Sequence, residues 1–233
     1  MKKLFIYIIF IVTLCGCFIK SNIDIKNVSH IQDENKILDP NKKSIALTFG
    51  DGPSKYTKDI INILKKYNSN ATFFVLGNKV EIYKDALIEI VNNGNEIGNH
   101  SYNHKWLVKL SNDEFLEQIN KTQQVIIDNI GYTPTLIRPT YGSITSKMKE
   151  SINLDVVLWN VDSTDWKLRN SKKIASRVLK KVSDGSIILF HDTYKWTDDA
   201  LNIVIPKLIQ DGYQLVTVSQ LKEINELRKK LNE

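Results

Sequence analysis

The sequence predicts an α/β fold, an incomplete (β/α)7 TIM-like barrel of parallel strands. Three observations carry this. After Lys43, short apolar runs alternate with longer amphipathic ones, the order that gives parallel strands joined by right-handed helical crossovers. The short runs are rich in β-branched and aromatic residues and nearly continuous in apolarity, as strands covered on both faces must be. Asp51, His100, Arg138, Asp165 and His191 each fall at or just past the C-terminal end of a different run. In a β/α barrel those ends ring one mouth, whereas in an open sheet five strand ends would be less able to meet. Seven runs make the barrel incomplete.

The expected strands are Ile45–Phe49, Ala71–Leu76, Glu96–Asn99, Thr135–Arg138, Val156–Asn160, Ser186–His191 and Tyr213–Val218. Between them lie expected helices. Thr57–Tyr67 comes first, then Lys84–Asn93, which stops at Gly94, a residue suited to the left-handed position past a helix end. Ser111-Asn112-Asp113-Glu114 has the spacing of a capping box and opens a helix to Ile130, with Gly131 beyond it. Thr145–Asn153, Lys172–Val182 and Asp198–Gln210 follow, and a charged helical tail begins at Gln220.

Ahead of the barrel lies a targeting segment. Lys2 and Lys3 precede an apolar run from Leu4 to Leu14, too short to span a bilayer and right for the core of a signal peptide. The run ends in Leu14-Cys15-Gly16-Cys17, which resembles a bacterial lipobox with Cys17 as the lipidated residue. Residues 1–17 are therefore expected to be a lipoprotein-type signal and 18–43 a polar tether. The expected location is the outer face of a bacterial cell membrane, held by the lipid and facing the wall; simple secretion is the alternative. Both cysteines lie in the leader, which excludes disulfides and thiol catalysis from the domain. The net charge is +6, with lysines scattered over helix faces (Lys65-Lys66, Lys180-Lys181). No basic stripe with stacking aromatics is present, so no nucleic-acid partner is expected, and no protein partner is called for.

Of the four histidines, His100 and His104 stand four residues apart. On one helical turn they would share a face and converge on a divalent transition metal; alone, they could equally be a polar surface pair. The Asp51-Gly52-Pro53 turn supplies a third ligand. Two histidines and one carboxylate leave a coordination position open, which a catalytic metal requires. One divalent ion is expected, with zinc suited to the donors.

Five segments, taken together, resemble the ordered motifs of the polysaccharide deacetylase family, the NodB-homology domain of carbohydrate esterase family 4. They are Thr48-Phe49-Gly50-Asp51-Gly52-Pro53, His100-Ser101-x-x-His104, Arg138-Pro139-Thr140-Tyr141-Gly142, Asp162-x-x-Asp165-Trp166 and Leu189-Phe190-His191. The resemblance covers residues 44–221 and leaves 222–233 as the charged tail. It implies a metal-dependent hydrolase that removes N-acetyl groups from peptidoglycan or a chitin-like N-acetylglucosamine polymer. Asp51, His100 and His104 would hold the metal. His191 would be the acid that protonates the departing nitrogen, and Asp165 the carboxylate that orients it. The Tyr141 backbone N–H would face the oxyanion. Trp166 and Leu189 would line the acetyl pocket or the sugar groove, although plain packing explains both equally well.

One departure stands out. The family's first motif carries two adjacent aspartates, the first being the base that activates water. Here that position is Gly50, so the base is missing and Arg138, its usual partner, is left without it. A buried cation needs compensation, for which Asp162, Asp192, an anion or solvent are candidates. The milder change is Thr140, where the family usually has proline. The alternative reading is a metal-retaining, catalytically weak glycan binder. A nucleotide-binding protein is excluded, since no glycine-rich phosphate loop joins a strand to a helix.

Overall fold

The computed structural model describes residues 38–233. The expected signal segment, Cys17 and the expected tether before residue 38 lie outside the described residues. Eight parallel strands form one curled sheet: β1 (Ser44–Gly52), β2 (Thr72–Val75), β3 (Glu96–Asn99), β4 (Leu136–Ile137), β5 (Asp155–Val156), β6 (Val161–Asp162), β7 (Ile187–His191) and β8 (Gln214–Val216). Seven follow the order β5-β4-β3-β2-β1-β7-β6, while β8 pairs with the first residues of β1. The path ends at β5 and β6 without closing, which makes the barrel incomplete as the sequence predicts.

The central strand β1 is buried along nearly its whole length, and its register sets the site. Gly50 stands opposite His191 of β7, and Gly52 opposite Val75 of β2. Outside the sheet run α1 (Thr57–Lys66), α2 (Lys84–Asn92), α3 (Asn112–Ile130), α4 (Ser146–Glu150), α5 (Asp165–Leu168), α6 (Ser171–Lys181), α7 (Lys195–Gln210) and α8 (Val218–Leu231). The main core lies between strands and helices, with Phe49 stacked on Phe73 and Phe190 at 4.9 and 5.9 Å. The capping box of α3 forms as expected, and Gly131 ends the helix at φ 66°. No helix among the described residues is long and apolar enough to cross a membrane.

In place of the expected strand Val156–Asn160, two short strands, β5 ending at Val156 and β6 starting at Val161, flank residues 157–160 and do not pair with each other. Val157 N–H still bonds Ile137 across the β4 side, while Asn160 N–H already bonds Ile187 on the β7 side. One apolar run thus crosses the open seam of the barrel. Apolarity alone cannot distinguish a run that stays beside one neighbour from a run that changes neighbours.

Helix α8 lies across the end of the barrel opposite the site. Its first turn donates from Val218 N–H to Thr72 Oγ1 and from Ser219 N–H to the Glu96 carboxylate, at the starts of β2 and β3. Lys222 pairs with Asp155 at the start of β5, and Arg228 reaches the carbonyls of Pro40 and Lys42 and the carboxylate of Asp184. Between those ties, Leu221 and Ile224 enter a cluster with Ala46, Phe74, Leu136, Val157 and Val216.

Candidate functional site

The C-terminal ends of the strands surround a pocket of about 510 Å³. Asp51, His100, His104, Arg138, Tyr141, Trp166, Leu189 and His191 all line it, so eight of the ten expected site residues face one cavity. The other two support it: Gly50 in the floor strand, and Asp165, fully buried behind His191.

The histidine pair is not on a helical turn, contrary to expectation. His100 ends β3, with its N–H bonded to Val75, and the chain then turns through an irregular loop with Ser101 and His104 at φ 68° and 61°. Asp51 has φ 65° and Tyr141 φ 57°. The left-handed region is unfavourable for residues with a Cβ, and here it gathers at the pocket. Neighbouring bonds hold these turns: Ser101 N–H donates to Asn99, and Lys79 Nζ donates to the Asp51 carbonyl at 2.6 Å. The result brings the two imidazoles together by loop geometry, with ring centroids 5.2 Å apart.

Protonation follows from the partners. His100 Nδ1 lies 2.6 Å from the Arg138 carbonyl, which can only accept. Nδ1 therefore carries the proton and Nε2 keeps its lone pair. Burial pushes the His100 pKa down, against the opposing pull of Asp51 and the Arg138 carbonyl, so the ring is neutral. Asp51 Oδ1 lies 3.2 Å from His100 Nε2 and 3.1 Å from His104 Nε2, yet makes no hydrogen bond to either. Burial alone would raise the Asp51 carboxyl; positive charge between it and the imidazoles of His100 and His104, a proton or a cation, outweighs burial and draws the group well below the usual range. Three donor atoms within 4.8 Å of one another, one of them a buried carboxylate oxygen lacking a hydrogen bond, fit a divalent cation.

Across the pocket, His191 Nδ1 lies 2.7 Å from Asp165 Oδ1. Asp165 is held from all sides: its oxygens also accept from Trp166 N–H, His191 N–H and Thr197 Oγ1 at 2.7–2.8 Å. A carboxylate so saturated cannot rotate away. Burial would lower His191, but the bond to Asp165 and its charge prevail and raise the imidazole above its ordinary value. The ring is thereby oriented, with Nε2 left to exchange a proton.

Gly50 lies between these two halves. A Cβ there would meet His100 Nε2 at 3.6 Å and His191 Cδ2 at 3.7 Å, ordinary contacts, so the missing side chain leaves a recess. Arg138 is 1% exposed and forms no ion pair among the described residues. Neither Asp162 nor Asp192 compensates it. Instead it donates to Thr48 Oγ1 and the carbonyls of Val157 and Leu158, at the seam between β5 and β6. Its guanidinium lies 4.2 Å from the Phe74 ring and 5.5 Å from that of Trp159, contacts typically worth ~1 kcal/mol each. Burial lowers its pKa to about 9. Asp192 is elsewhere, packed against Gly52 and accepting from Thr57 Oγ1.

The Tyr141 N–H has no acceptor among the described residues. Its ring, 62% exposed, stands edge-on to His104 at 4.8 Å and beside Trp106 at 5.7 Å. Trp106 and Trp166, each 49% exposed, stand out as exposed aromatics. Tyr194 and Trp159 also line the pocket. Sequence reasoning did not assign Trp106, Trp159 or Tyr194 to the site, although Trp106 and Tyr194 each follow a site motif by a few residues.

This fold and this mouth define a class: parallel-barrel proteins that gather two imidazoles, a carboxylate and a carboxylate-held histidine around one polar pocket. Residues 38–156 match the family model described as polysaccharide deacetylase, and the chain belongs to that family. It is 50% identical over 84% of its length to the peptidoglycan-N-acetylmuramic acid deacetylase PdaC of Bacillus subtilis. It is 41% identical over 77% of its length to the peptidoglycan-N-acetylglucosamine deacetylase PgdA of Listeria monocytogenes. The chain spans 42% and 39% of the lengths of these curated relatives. The solved structure of PdaC superposes with a TM-score of 0.82 at 49% identity, covering 84% of this chain and 97% of that one. A mutant of a CE4-family pseudoenzyme from Bacillus anthracis, described as having restored enzymatic activity, superposes with a TM-score of 0.72. It is 34% identical, covering 78% of this chain and 68% of that one.

Proposed function

We propose that the chain is a metal-dependent deacetylase acting on N-acetylated sugars of cell-wall glycan, held at the outer membrane face by a lipid on Cys17. The observation that carries the reading is the meeting, in one pocket, of the Asp51/His100/His104 set and the Asp165-held His191. Asp51, His100 and His104 would hold the ion, zinc being suited to such donors. When bound, a divalent ion supplies Lewis-acid polarisation of the amide carbonyl and activation of water. The remaining work belongs to the chain. His191, kept protonated by Asp165, hands a proton to the nitrogen as the C–N bond breaks. The Tyr141 N–H, without another acceptor, is available to the developing oxyanion, a contact typically worth ~3 kcal/mol. Trp166 and Leu189, with the added aromatics Trp106 and Tyr194, offer apolar faces to sugar rings.

Gly50 supports a second reading, a glycan binder of low activity. A positioned base contributes ~10²–10⁴ in rate, and Gly50 has no side chain to act as one. The resemblance to a pseudoenzyme is consistent with it. Acetate release from chito-oligosaccharides and from peptidoglycan, with and without chelator, decides between them. Release that stops with chelator and in His104→Ala supports the deacetylase; none under any condition, with glycan still bound, supports the binder. Membrane retention of a Cys17→Ala variant would contradict the lipid anchor.

A further inference from the structure

The floor of the pocket contains two defects that fit each other. One is the recess at Gly50, where an added Cβ would meet nothing closer than His100 Nε2 at 3.6 Å and His191 Cδ2 at 3.7 Å. The other is Arg138, buried, lining the same pocket and without an anionic partner among the described residues. Its bond to Thr48 Oγ1 ties it to β1 two residues before Gly50, where alternate side chains share a face. Of the five guanidinium N–H groups of Arg138, three are given to Thr48 Oγ1 and the Val157 and Leu158 carbonyls, and the two that remain suit a planar two-oxygen anion. Neutral carbonyls solvate Arg138 without cancelling its charge.

We propose that the Gly50 recess binds a small carboxylate ion, held by Arg138, and that this ion serves as the base the chain lacks. The proposal rests on the deacetylase reading above and names what completes it. The step balances. The carboxylate takes a proton from the attacking water as its oxygen bonds to the acetyl carbon. His191 gives a proton to the nitrogen as the C–N bond breaks. The carboxylic acid then returns its proton through His191, and the products part as acetate and an ammonium group. The ion has two sources. It is free in solution, the product acetate included, or it is carried by the substrate, as in the ether-linked carboxylate beside the acetamido group of an N-acetylmuramic acid residue. Asp51 and Asp162 also line the pocket and repel an anion, so binding is weak in the metal-free chain and strengthens with metal.

The test uses formate and the whole chain. In a ¹³C-formate NMR titration, wild type binds saturably with and without metal, and Gly50→Asp, which fills the recess with its own carboxylate, binds at least ~10-fold more weakly. Equal binding to the two proteins, or binding seen only with metal, overturns the site. In the rate arm, formate raises deacetylation of a chito-oligosaccharide by wild type at least ~10-fold and leaves Gly50→Asp unchanged. A muramic-acid glycan hydrolysed at the formate-saturated rate with none added identifies the substrate as the source; a need for formate on both glycans identifies the free ion. Formate without effect on wild type, where Gly50→Asp is active, overturns the role as base. No hydrolysis by either protein on any glycan is failure of the deacetylase reading itself, with the titration still deciding the recess.

Discussion

Asp165 governs His191 through one 2.7 Å bond, and its other bonds keep it in place. Because the carboxylate raises the imidazole pKa, Asp165→Asn lowers it. A general acid works only while protonated, so the alkaline limb of the rate profile moves to lower pH in the variant, with kcat reduced ~10²-fold and KM little changed. A limb that stays put, or moves up, would show that His191 takes its proton affinity from elsewhere. Asp192 runs the other way. Burial raises it from 3.8 to about 6, against the bond from Thr57. A carboxyl raised in the folded state stabilises below its unfolded pKa, and that contribution is lost as pH rises from about 4 to 6. Asp192→Asn should therefore match wild type at pH 4 and exceed it at pH 7 by up to about 3 kcal/mol, measured by urea unfolding in chelator. A gap that does not widen with pH would show that the charge is compensated. The histidines and carboxylates of the candidate site were legible because imidazole and carboxylate have few other reasons to end apolar strands. Trp159 and Tyr194 were not, since an aromatic ring reads alike in a core and in a groove.

Among the elements, legibility followed local signals. The capping box at Ser111 and the glycine at 131 mark both ends of α3 in the sequence and in the structure. Ser111 is exposed and its role is confined to the cap, so Ser111→Ala should cost ~1 kcal/mol. The midpoint of urea denaturation should fall with an unchanged slope; no shift would mean that Glu114 alone satisfies the helix start. Two elements escaped such signals. The four-residue spacing of His100 and His104 fits a helical turn, yet Ser101 and His104 in the left-handed region produce the convergence by another route. The run from Val156 to Asn160 reads as one strand because nothing local records that its partner changes midway. Both misreadings come from long-range bonds, to Val75 in the first case and to Ile137 and Ile187 in the second.

At the scale of the molecule, the two ends of the barrel differ in character. The mouth holds left-handed backbone at Asp51, His104 and Tyr141, a buried unpaired guanidinium and an oxygen without a hydrogen bond. The opposite end holds α8, whose Ile224 is fully buried among strand residues and whose Arg228 ties the chain's end to the approach to β1. Ile224→Ala should cost ~2–5 kcal/mol, read by thermal or urea unfolding. Metal affinity should be unchanged, because the helix is tied to residues outside the pocket lining; a parallel loss of metal would show that the ends are coupled. Such separation has a consequence for descent. A lineage carrying this barrel can lose or exchange a group at the mouth while its fold survives on contacts made elsewhere. Stability then exerts no selection on the chemistry, and the scaffold can outlast one activity and host the next.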